Sequence, residues 1–315
     1  MQLNYKNVIK IKFMKRDNII IGSRGSKLAL IYAEKVKNEL SRVFSGKIEI
    51  KKIITTGDEN QKDRLSSLGG KGLFSSNIEK ELKEGKIDLA VHALKDMPSF
   101  ETSGLKTNCF LKRNSPNEIL ISNNKQFIDL EKGSIVGTSS FRREYQLKNI
   151  RSDLNYKLIR GNVDTRIRKL EDNEYDAIIL SKAGIESLNL QEKITEEFAV
   201  EKLIPCAGQG IIAIQCNEND VDISNLLEEI NDNDTRIVAN TEREVLKILE
   251  GDCDTAIGVF AKLDNENIEL STELFSVDGE ERYFIKETVL KENHLSLAKK
   301  IGDDLRNKSK GSYKR

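Results

Sequence analysis

The fold is decided first by residues 19–32, which read IIIGSRGSKLALIY. Three consecutive isoleucines followed by a glycine predict a buried β-strand, and the apolar residues Leu28, Ile31 and Tyr32 then recur at the spacing of one helix face. A buried strand that a short polar loop joins to an amphipathic helix is the unit of a wound α/β sheet. Because such units recur through the first two-thirds of the chain, we expect this part to be α/β.

The chain is expected to form two such sheets, because a second run of strands and helices opens near Ser134. In this run, strands are predicted at 157–159 and 177–180, and a helix is predicted to begin near Thr165. The second sheet should therefore be wound like the first.

A hinge between two lobes is expected, because the pattern breaks near residues 204–210 and then resumes. The apolar stretch 211–215 predicts a strand that returns to the first sheet, so the chain crosses between the sheets twice. The predicted boundaries are residues 18–111 with 211–230 for domain 1, the catalytic lobe, and residues 112–210 for domain 2, the lobe that binds anions and a cofactor.

The last third of the chain predicts a separate small α+β domain, domain 3, at residues 231–315. A helix is predicted near 234–249, and a second helix closes the chain. Between them, alternating polarity predicts a three-stranded antiparallel sheet at 256–263, 268–275 and 282–289.

Both chain ends are rich in basic residues. Residues 1–17 are interpreted as a disordered basic leader, with Met1 or Met14 as the native start, and residues 308–315 as a disordered tail. No apolar run approaches the roughly 20 residues that cross a bilayer, so no membrane segment is expected.

The composition limits the classes of function. Lys and Arg total 51 and Asp and Glu total 51, so any electrostatic specialisation must be local, and no DNA-reading segment is recognisable. Four scattered cysteines favour a reducing compartment, here the cytoplasm, over a disulfide framework. With only two histidines, far apart in the sequence, no metal site is expected.

Hydroxyl and guanidinium groups follow several predicted strands, where wound sheets gather their ligands. Such groups at a helix start make a carboxylate or phosphate site, although the helix macrodipole opposes arginines there. Two cations at a helix start therefore favour an anionic ligand as compensation. The alternatives are a helix cap with two solvated arginines and, further on, a turn at Asp164 with Arg166 in a surface ion pair. The residues concerned are Arg24, Ser26, Thr138, Ser140, Arg142, Arg143, Arg160 and Arg166.

Two further segments carry candidate chemistry. The stretch 69–74, GGKGLF, lacks the hydroxyl of a GxxxxGK[ST] phosphate loop, so it is interpreted as a mobile lid that carries Lys71 and Phe74. Lys95 and Asp96 follow a predicted strand, and Asp96 among many cations would stay ionised and stabilise a developing cation. The alternative is a simple Lys–Asp turn before Pro98.

Cys253 stands in the stretch EGDCDTAIG, residues 250–258, and has no partner cysteine or histidine in a metal-ligand pattern. A lone thiol on a loop is usually an ordinary loop residue. Together with the basic segments, however, it suggests a thiol that tethers a polyanion inside an arginine-lined cleft.

These segments together resemble the hydroxymethylbilane synthase, or porphobilinogen deaminase, family. The resemblance covers most of the chain from about residue 19. It rests on the stretches GSRGSKLAL, GGKGLF, AVHALKDMP, VGTSSFRRE, RGNVDTR, EYDAIIL, GQG and EGDCDTAIG, in the family's order and spacing.

The resemblance implies two lobes similar to type II periplasmic binding proteins, plus a small C-terminal domain. It implies a dipyrromethane cofactor in thioether linkage to Cys253, and the head-to-tail joining of four porphobilinogen molecules with release of ammonia. It assigns catalysis to Asp96, cofactor binding to Lys95, Thr138, Ser140, Arg142, Arg143 and Arg166, and substrate binding to Arg24, Ser26, Lys71, Phe74, Arg160 and Gln209. A monomer is expected, with no nucleic-acid or membrane partner.

Two positions depart from the family's pattern, because Ser67 and Ser187 stand where lysine and arginine are frequent. Arg168, Lys182 or Lys62 could compensate. The alternatives to the enzyme are a two-lobed carboxylate-binding protein without chemistry and a regulatory effector-binding domain. An unmodified Cys253 with reversible carboxylate binding would favour the first of these.

Overall fold

The computed structural model describes residues 16–55, 75–252 and 254–314. The α-helices are α1 (Lys27–Leu40), α2 (Ser76–Lys83), α3 (Phe141–Lys148), α4 (Val163–Glu171), α5 (Lys182–Ser187), α6 (Val221–Glu228), α7 (Asn233–Leu249) and α8 (His294–Ser309). The strands are β1 (Asn18–Arg24), β2 (Lys47–Ile53), β3 (Leu89–Ala93), β4 (Leu105–Phe110), β5 (Glu118–Ser122), β6 (Ile135–Gly137), β7 (Asn155–Lys157), β8 (Ala177–Ser181), β9 (Glu196–Phe198), β10 (Ile212–Asn217), β11 (Ile257–Asp264), β12 (Asn267–Phe275) and β13 (Arg282–Leu290). No helix within these ranges is long and apolar enough to cross a membrane.

The first lobe is a five-stranded mixed sheet in the order β2-β1-β3-β10-β4. Strand β1 is parallel to β2 and β3, whereas β10 runs antiparallel to β3 and β4. The strand predicted to return to the first sheet is therefore confirmed. Its side chains Ile212 and Ile214 are buried with Ile19 and Ile21 of β1, which explains why the return is stable.

The second lobe is a five-stranded mixed sheet in the order β7-β6-β8-β5-β9. The strand predicted at 157–159 is wrong by two residues, because pairing with β6 ends at Gly137 and Lys157. Beyond that point Ile159 is fully buried against the lobe core, so its apolar character reflects packing and not a strand. Helix α4 likewise begins at Val163, two residues before the predicted start.

The third sheet, β11-β12-β13, is antiparallel throughout and packs against α7 and α8. The predicted meander and both flanking helices are confirmed. The fold class is thus two mixed-sheet lobes plus a small α+β domain, as expected.

The C-terminal tail is ordered as far as Lys314, so the prediction of disorder at 308–315 is wrong for the residues that the structure describes. Tyr313 is 3% exposed, and its hydroxyl donates a hydrogen bond to the Leu249 carbonyl at 3.1 Å. Lys314 pairs with Glu250 at 3.0 Å. The burial of Tyr313 together with these contacts thus outweighs the basic composition of the tail.

At the other end of the chain, residues 1–15 of the predicted leader lie outside the described residues. Arg16 forms ion pairs with Asp88 and Asp220 of the first lobe. The end of the predicted leader therefore packs on the lobe.

Glu242 of domain 3 forms hydrogen bonds with both chain segments that cross between the lobes. The fully buried carboxylate of Glu242 accepts hydrogen bonds from Arg113 Nη1 (2.6 Å), Gly208 N (2.7 Å) and Ala261 N (2.9 Å). Beside it, Gly210 has φ 81°, and a Cβ there would lie 2.6 Å from the Asn114 carbonyl oxygen. Gly210 is thus required by the backbone where the chain returns from the second lobe to the first.

Candidate active site

A cavity of about 380 Å³ lies where the two lobes and domain 3 meet. Its wall includes Arg24 and Asp96 from the first lobe, Arg143 and Arg166 from the second, and Asp252 from domain 3. The volume falls within the roughly 300–1,000 Å³ of small-molecule sites. Three domains therefore contribute side chains to the same site.

The cavity wall is strongly cationic. Among the described residues, three acidic ones face it, Asp96, Asp164 and Asp252. More than twice as many cationic residues line it: Arg24, Lys27, Lys95, Arg142, Arg143, Arg160 and Arg166. An excess of guanidinium groups suits a ligand that carries several carboxylates.

The hydroxyl groups at the start of α3 are used by the backbone. Oγ1 of Thr138 accepts a hydrogen bond from Ser140 N at 3.2 Å, and Oγ of Ser140 accepts one from Arg143 N at 3.4 Å. Ser140 is therefore the helix N-cap. Ser26 plays the same part for α1, because its Oγ accepts a hydrogen bond from Ala29 N at 3.3 Å. Both cap residues also line the cavity.

Arg142 and Arg143 are buried, at 3% and 7% exposure, so the alternative of two solvated arginines is wrong. Both guanidinium groups pair with the fully buried carboxylate of Glu118, at 2.6 Å from Arg142 Nη2 and 2.7 Å from Arg143 Nη2. Sequence reasoning expected an anionic ligand to offset the two arginines. A carboxylate of the protein provides part of that compensation.

The Nε atom of each of these two arginines has no hydrogen-bond partner among the described residues. Nη1 of Arg142 donates to the Ile204 carbonyl (3.0 Å) and Nη1 of Arg143 to the Ile179 carbonyl (3.1 Å). Both residues line the cavity, so their guanidinium charge suits the carboxylates of a bound group.

Arg166 lies among like charges. Its Nε donates to the Gly161 carbonyl at 2.8 Å, and no carboxylate of the described residues lies within ion-pair distance of it. Burial, together with Arg143 and Arg160, lowers the pKa of Arg166 to about 10. The alternative of a surface ion pair for Arg166 is wrong, and an anion here would relieve the repulsion.

Asp96 reaches the cavity from a single 3-10 turn, Leu94–Asp96, directly after β3. Its carboxylate is 35% exposed and lies 3.6 Å from Arg24 Nη1. Lys95 Nζ donates to Gln209 Oε1 at 3.3 Å, and Gln209 Nε2 donates to the Pro116 carbonyl at 2.7 Å. The Lys–Asp turn thus exists, and it places both side chains on the cavity wall.

Cys253, Lys71 and Phe74 lie outside the described residues, as do Ser67 and Lys62. The residues on both sides of position 253 in the sequence, Gly251, Asp252 and Thr255, line the cavity. The Asp252 carboxylate accepts hydrogen bonds from Asp254 N (3.0 Å) and Thr255 Oγ1 (3.3 Å), which fixes the backbone on either side of that position.

Ser187 accepts a hydrogen bond from a cation other than the three that were expected to compensate for it. Lys35 Nζ, from α1 of the other lobe, donates to Ser187 Oγ at 3.3 Å. Lys182 instead pairs with Glu197 at 2.5 Å. Arg168 is exposed and absent from the cavity wall.

Two other contributors to the site were missed. No sequence pattern marked Glu118 as a site residue, because a glutamate at the start of an apolar strand is typical of an ordinary strand boundary. Cys206 is a free thiol on the cavity wall, and its Sγ lies 3.6 Å from Gln209 Oε1. Both could have been suspected only from their neighbours in space.

The described residues contain no cluster of His, Cys, Asp or Glu that could hold a metal ion. His92 lies on β3, 7% exposed, beside a smaller cavity of about 50 Å³ that Asp96 also lines. Burial lowers the pKa of His92 to about 4, with a smaller contribution from Arg24. This histidine is therefore neutral at physiological pH.

The depressed pKa of His92 predicts a pH-dependent stability. Between pH 6.5 and about 4 the unfolded chain binds a proton at this position and the folded protein does not. The free energy of unfolding should therefore fall by about 3 kcal/mol as the pH decreases through this window, since one pKa unit is about 1.4 kcal/mol. Urea unfolding at a series of pH values should show that His92→Gln flattens this slope.

His294 provides the matched control, because it is the other histidine of the chain and only half-buried. His294→Gln should retain most of the slope. An unchanged slope in His92→Gln would show that other groups cause the pH dependence.

The fold and the cavity define a two-lobed protein whose cationic cleft is completed by a third, C-terminal domain. Two family models match the chain: "Porphobilinogen deaminase, dipyromethane cofactor binding domain" over residues 19–225 and "Porphobilinogen deaminase, C-terminal domain" over residues 237–310. The chain belongs to the porphobilinogen deaminase family, and its first matched region is the family's dipyrromethane cofactor-binding domain.

Curated relatives agree with these matches. The porphobilinogen deaminase of Limosilactobacillus reuteri (strain DSM 20016) is 41% identical over 298 residues, covering 93% of this chain and 97% of the relative. That of Bacillus mycoides is 45% identical, covering 83% and 86%, and that of Fusobacterium nucleatum is 37% identical, covering 93% and 99%.

Among solved structures, the periplasmic VFT2 domain of Bordetella pertussis BvgS aligns with a TM-score of 0.42 at 12% identity, covering 68% of this chain and 86% of that chain. The Bacillus subtilis extracellular-binding protein ytmK aligns with a TM-score of 0.42 at 15% identity, covering 69% and 90%. The fold class rests on the sheet topology described above.

Proposed function

We propose that this protein is a hydroxymethylbilane synthase, which joins four porphobilinogen molecules head to tail, releases four ammonia molecules, and then uses one water molecule to hydrolyse the product off as hydroxymethylbilane. The observation that carries the proposal is the cationic cavity shared by three domains, with the carboxylate of Asp96 on its wall, in a chain of the porphobilinogen deaminase family. Porphobilinogen carries acetate and propionate groups, so a growing oligopyrrole accumulates negative charge, which this wall suits.

The dipyrromethane group is proposed to be held through a thioether to Cys253. The position of Gly251, Asp252 and Thr255 on the cavity wall supports this assignment, because position 253 lies between them in the sequence. When bound, the group supplies the acceptor carbon for the first coupling.

The arginines of domain 2 are proposed to hold the carboxylates of the cofactor. The positions of Arg142 and Arg143 on the cavity wall and the mutually repelling charges around Arg166 support this role. Lys95 adds a further cation on the same wall. Thr138 and Ser140 contribute by fixing the backbone at the start of α3.

Asp96 is proposed as the catalytic carboxylate. In each coupling the bond from the aminomethyl carbon to nitrogen breaks, ammonia leaves, and a new carbon–carbon bond forms with loss of a proton from the attacking pyrrole carbon. The departing ammonia leaves a cationic carbon. The Asp96 carboxylate can accept a hydrogen bond from the pyrrole N–H and stabilise that positive charge without forming a bond to the carbon. Its partial exposure to the cavity supports this role.

Arg24 and Arg160 are proposed to bind the substrate carboxylates. Ser26 and Gln209 are proposed to bind the substrate from the same cavity wall. Lys71 and Phe74 are also proposed to bind the substrate, because they match the family pattern.

The domain division 18–111 with 211–230, 112–210 and 231–315 is proposed because it separates the three sheets. We further propose a monomeric enzyme of the cytoplasm; the free thiols of Cys109, Cys206 and Cys216 support the reducing compartment.

Intact mass spectrometry combined with a turnover assay tests the function. The purified protein should be heavier than its sequence by one dipyrromethane, and it should convert porphobilinogen to hydroxymethylbilane with release of ammonia. A preparation with the mass of the polypeptide alone, which binds small carboxylates reversibly and makes no product, would favour the non-catalytic binding protein.

A further inference from the structure

We infer that Glu118 is a positioning residue, which sets the guanidinium groups of Arg142 and Arg143 for the carboxylates of the bound group. The inference rests on the proposed function of the cavity. It concerns a residue that is absent from the cavity wall and stands behind the two arginines that line it.

The position of Glu118 is fixed by its backbone. It is the first residue of β5, where it pairs with Ser181 of β8 on one side and Phe198 of β9 on the other. Its side chain is fully buried. A carboxylate held between two neighbouring strands has little freedom, so it can serve as a fixed reference point for longer side chains.

The carboxylate contacts one arginine with each oxygen. Oε1 accepts from Arg142 Nη2 at 2.6 Å, and Oε2 accepts from Arg143 Nη2 at 2.7 Å. Backbone carbonyls of Ile204 and Ile179 hold the Nη1 atoms. Both terminal nitrogens of each guanidinium group are therefore held by the protein, which fixes the orientation of the two groups at the cavity wall.

The charge of Glu118 also limits what the pair can bind. Burial would raise its pKa, but Arg143 and Arg142 outweigh burial and lower the pKa to about 2, so the carboxylate is ionised at neutral pH. Two guanidinium charges against one carboxylate leave a single net positive charge at the start of α3. One ligand carboxylate balances it, and further carboxylates must be met by other cations such as Arg166.

Two substitutions separate the charge of Glu118 from its reach. Glu118→Gln keeps the length but removes the charge, so the two guanidinium groups repel each other. Glu118→Asp keeps the charge but is one methylene shorter, so it cannot span both arginines from the same strand. If Glu118 is a positioning residue, both changes should move Arg142 and Arg143, and with them the bound group whose carbon accepts the first coupling.

The test uses the complete holoenzyme, with intact mass spectrometry to count the cofactor-loaded molecules in each preparation. We expect both variants to show a kcat per loaded molecule about 100-fold below wild type, because misplacement of a reacting group by about 1 Å has an effect of that order. The KM for porphobilinogen should change much less, since Arg24 and Arg160 are untouched.

Glu79→Gln is the matched control. Glu79 is also a buried carboxylate, 6% exposed, and it bonds to Thr102 and Gln215, away from the arginines. This variant should lose thermal stability while keeping its kcat per loaded molecule.

A normal kcat per loaded molecule in both Glu118 variants would overturn the inference. Failure of both variants to fold, while Glu79→Gln folds, would also overturn it, because Glu118 would then act only in stability. A wild-type protein that makes no product would contradict the proposed function instead, so the two failures can be told apart.

Discussion

Replacing Cys253 by alanine is expected to remove both the covalent cofactor and all detectable synthesis of hydroxymethylbilane. Alanine has no atom that can form a thioether, so the protein should have the mass of its polypeptide alone. A tethered acceptor turns repeated bimolecular couplings into positioned ones, and well-oriented groups behave as if present at about 10⁵–10⁸ M. Loss of the tether should therefore lower the rate by many orders of magnitude.

The matched control is Cys206→Ala, because Cys206 is a free thiol on the cavity wall. Intact mass spectrometry should show that this variant keeps the cofactor. If Cys206→Ala lost the added mass while Cys253→Ala retained it, the anchoring role would pass to Cys206.

Replacing Asp96 by asparagine is expected to leave the cofactor in place and to lower kcat by about 100-fold to 1,000-fold, the usual effect of removing one group that stabilises transition-state charge. Asparagine keeps the shape of the side chain but loses the negative charge. The loss should appear in kcat more than in KM, because the cationic carbon exists only after substrate binds. Steady-state kinetics on the loaded enzyme would measure it.

Asp164→Asn is the control for Asp96→Asn, because it removes another carboxylate from the same cavity wall. Its kcat should change far less. Near-normal turnover in Asp96→Asn would remove Asp96 from the catalytic role, whereas equal losses in both variants would mean that total charge matters and not one placed carboxylate.

Much of the architecture could be read from residue patterns. The isoleucines of β1, the apolar return strand β10 and the alternating strands β11 to β13 all bury one defined face, so their periodicity is visible in the sequence. The strand near residue 157 was misplaced for the same reason, because Ile159 is apolar through packing beyond the end of the strand.

The C-terminal tail illustrates the opposite failure. Its lysine-rich composition indicated disorder, yet the hydroxyl of Tyr313 reaches the Leu249 carbonyl from 64 positions away in the chain. A contact over that separation depends on where two elements meet, and composition does not carry that information.

The sequence by itself determined the family, the fold class and the residue types of the site, because short motifs report local backbone needs and the chemistry of their side chains. Only the tertiary structure decided how those side chains are used. It showed that Glu118 holds Arg142 and Arg143, that Arg166 lies among like charges, and that Lys35 meets Ser187 across the two lobes. The first two arrangements lie within the second lobe, where β5, α3 and α4 come together, and the third joins α1 to the end of α5 across the lobes. They depend on how these elements pack, which residue patterns along the chain do not specify.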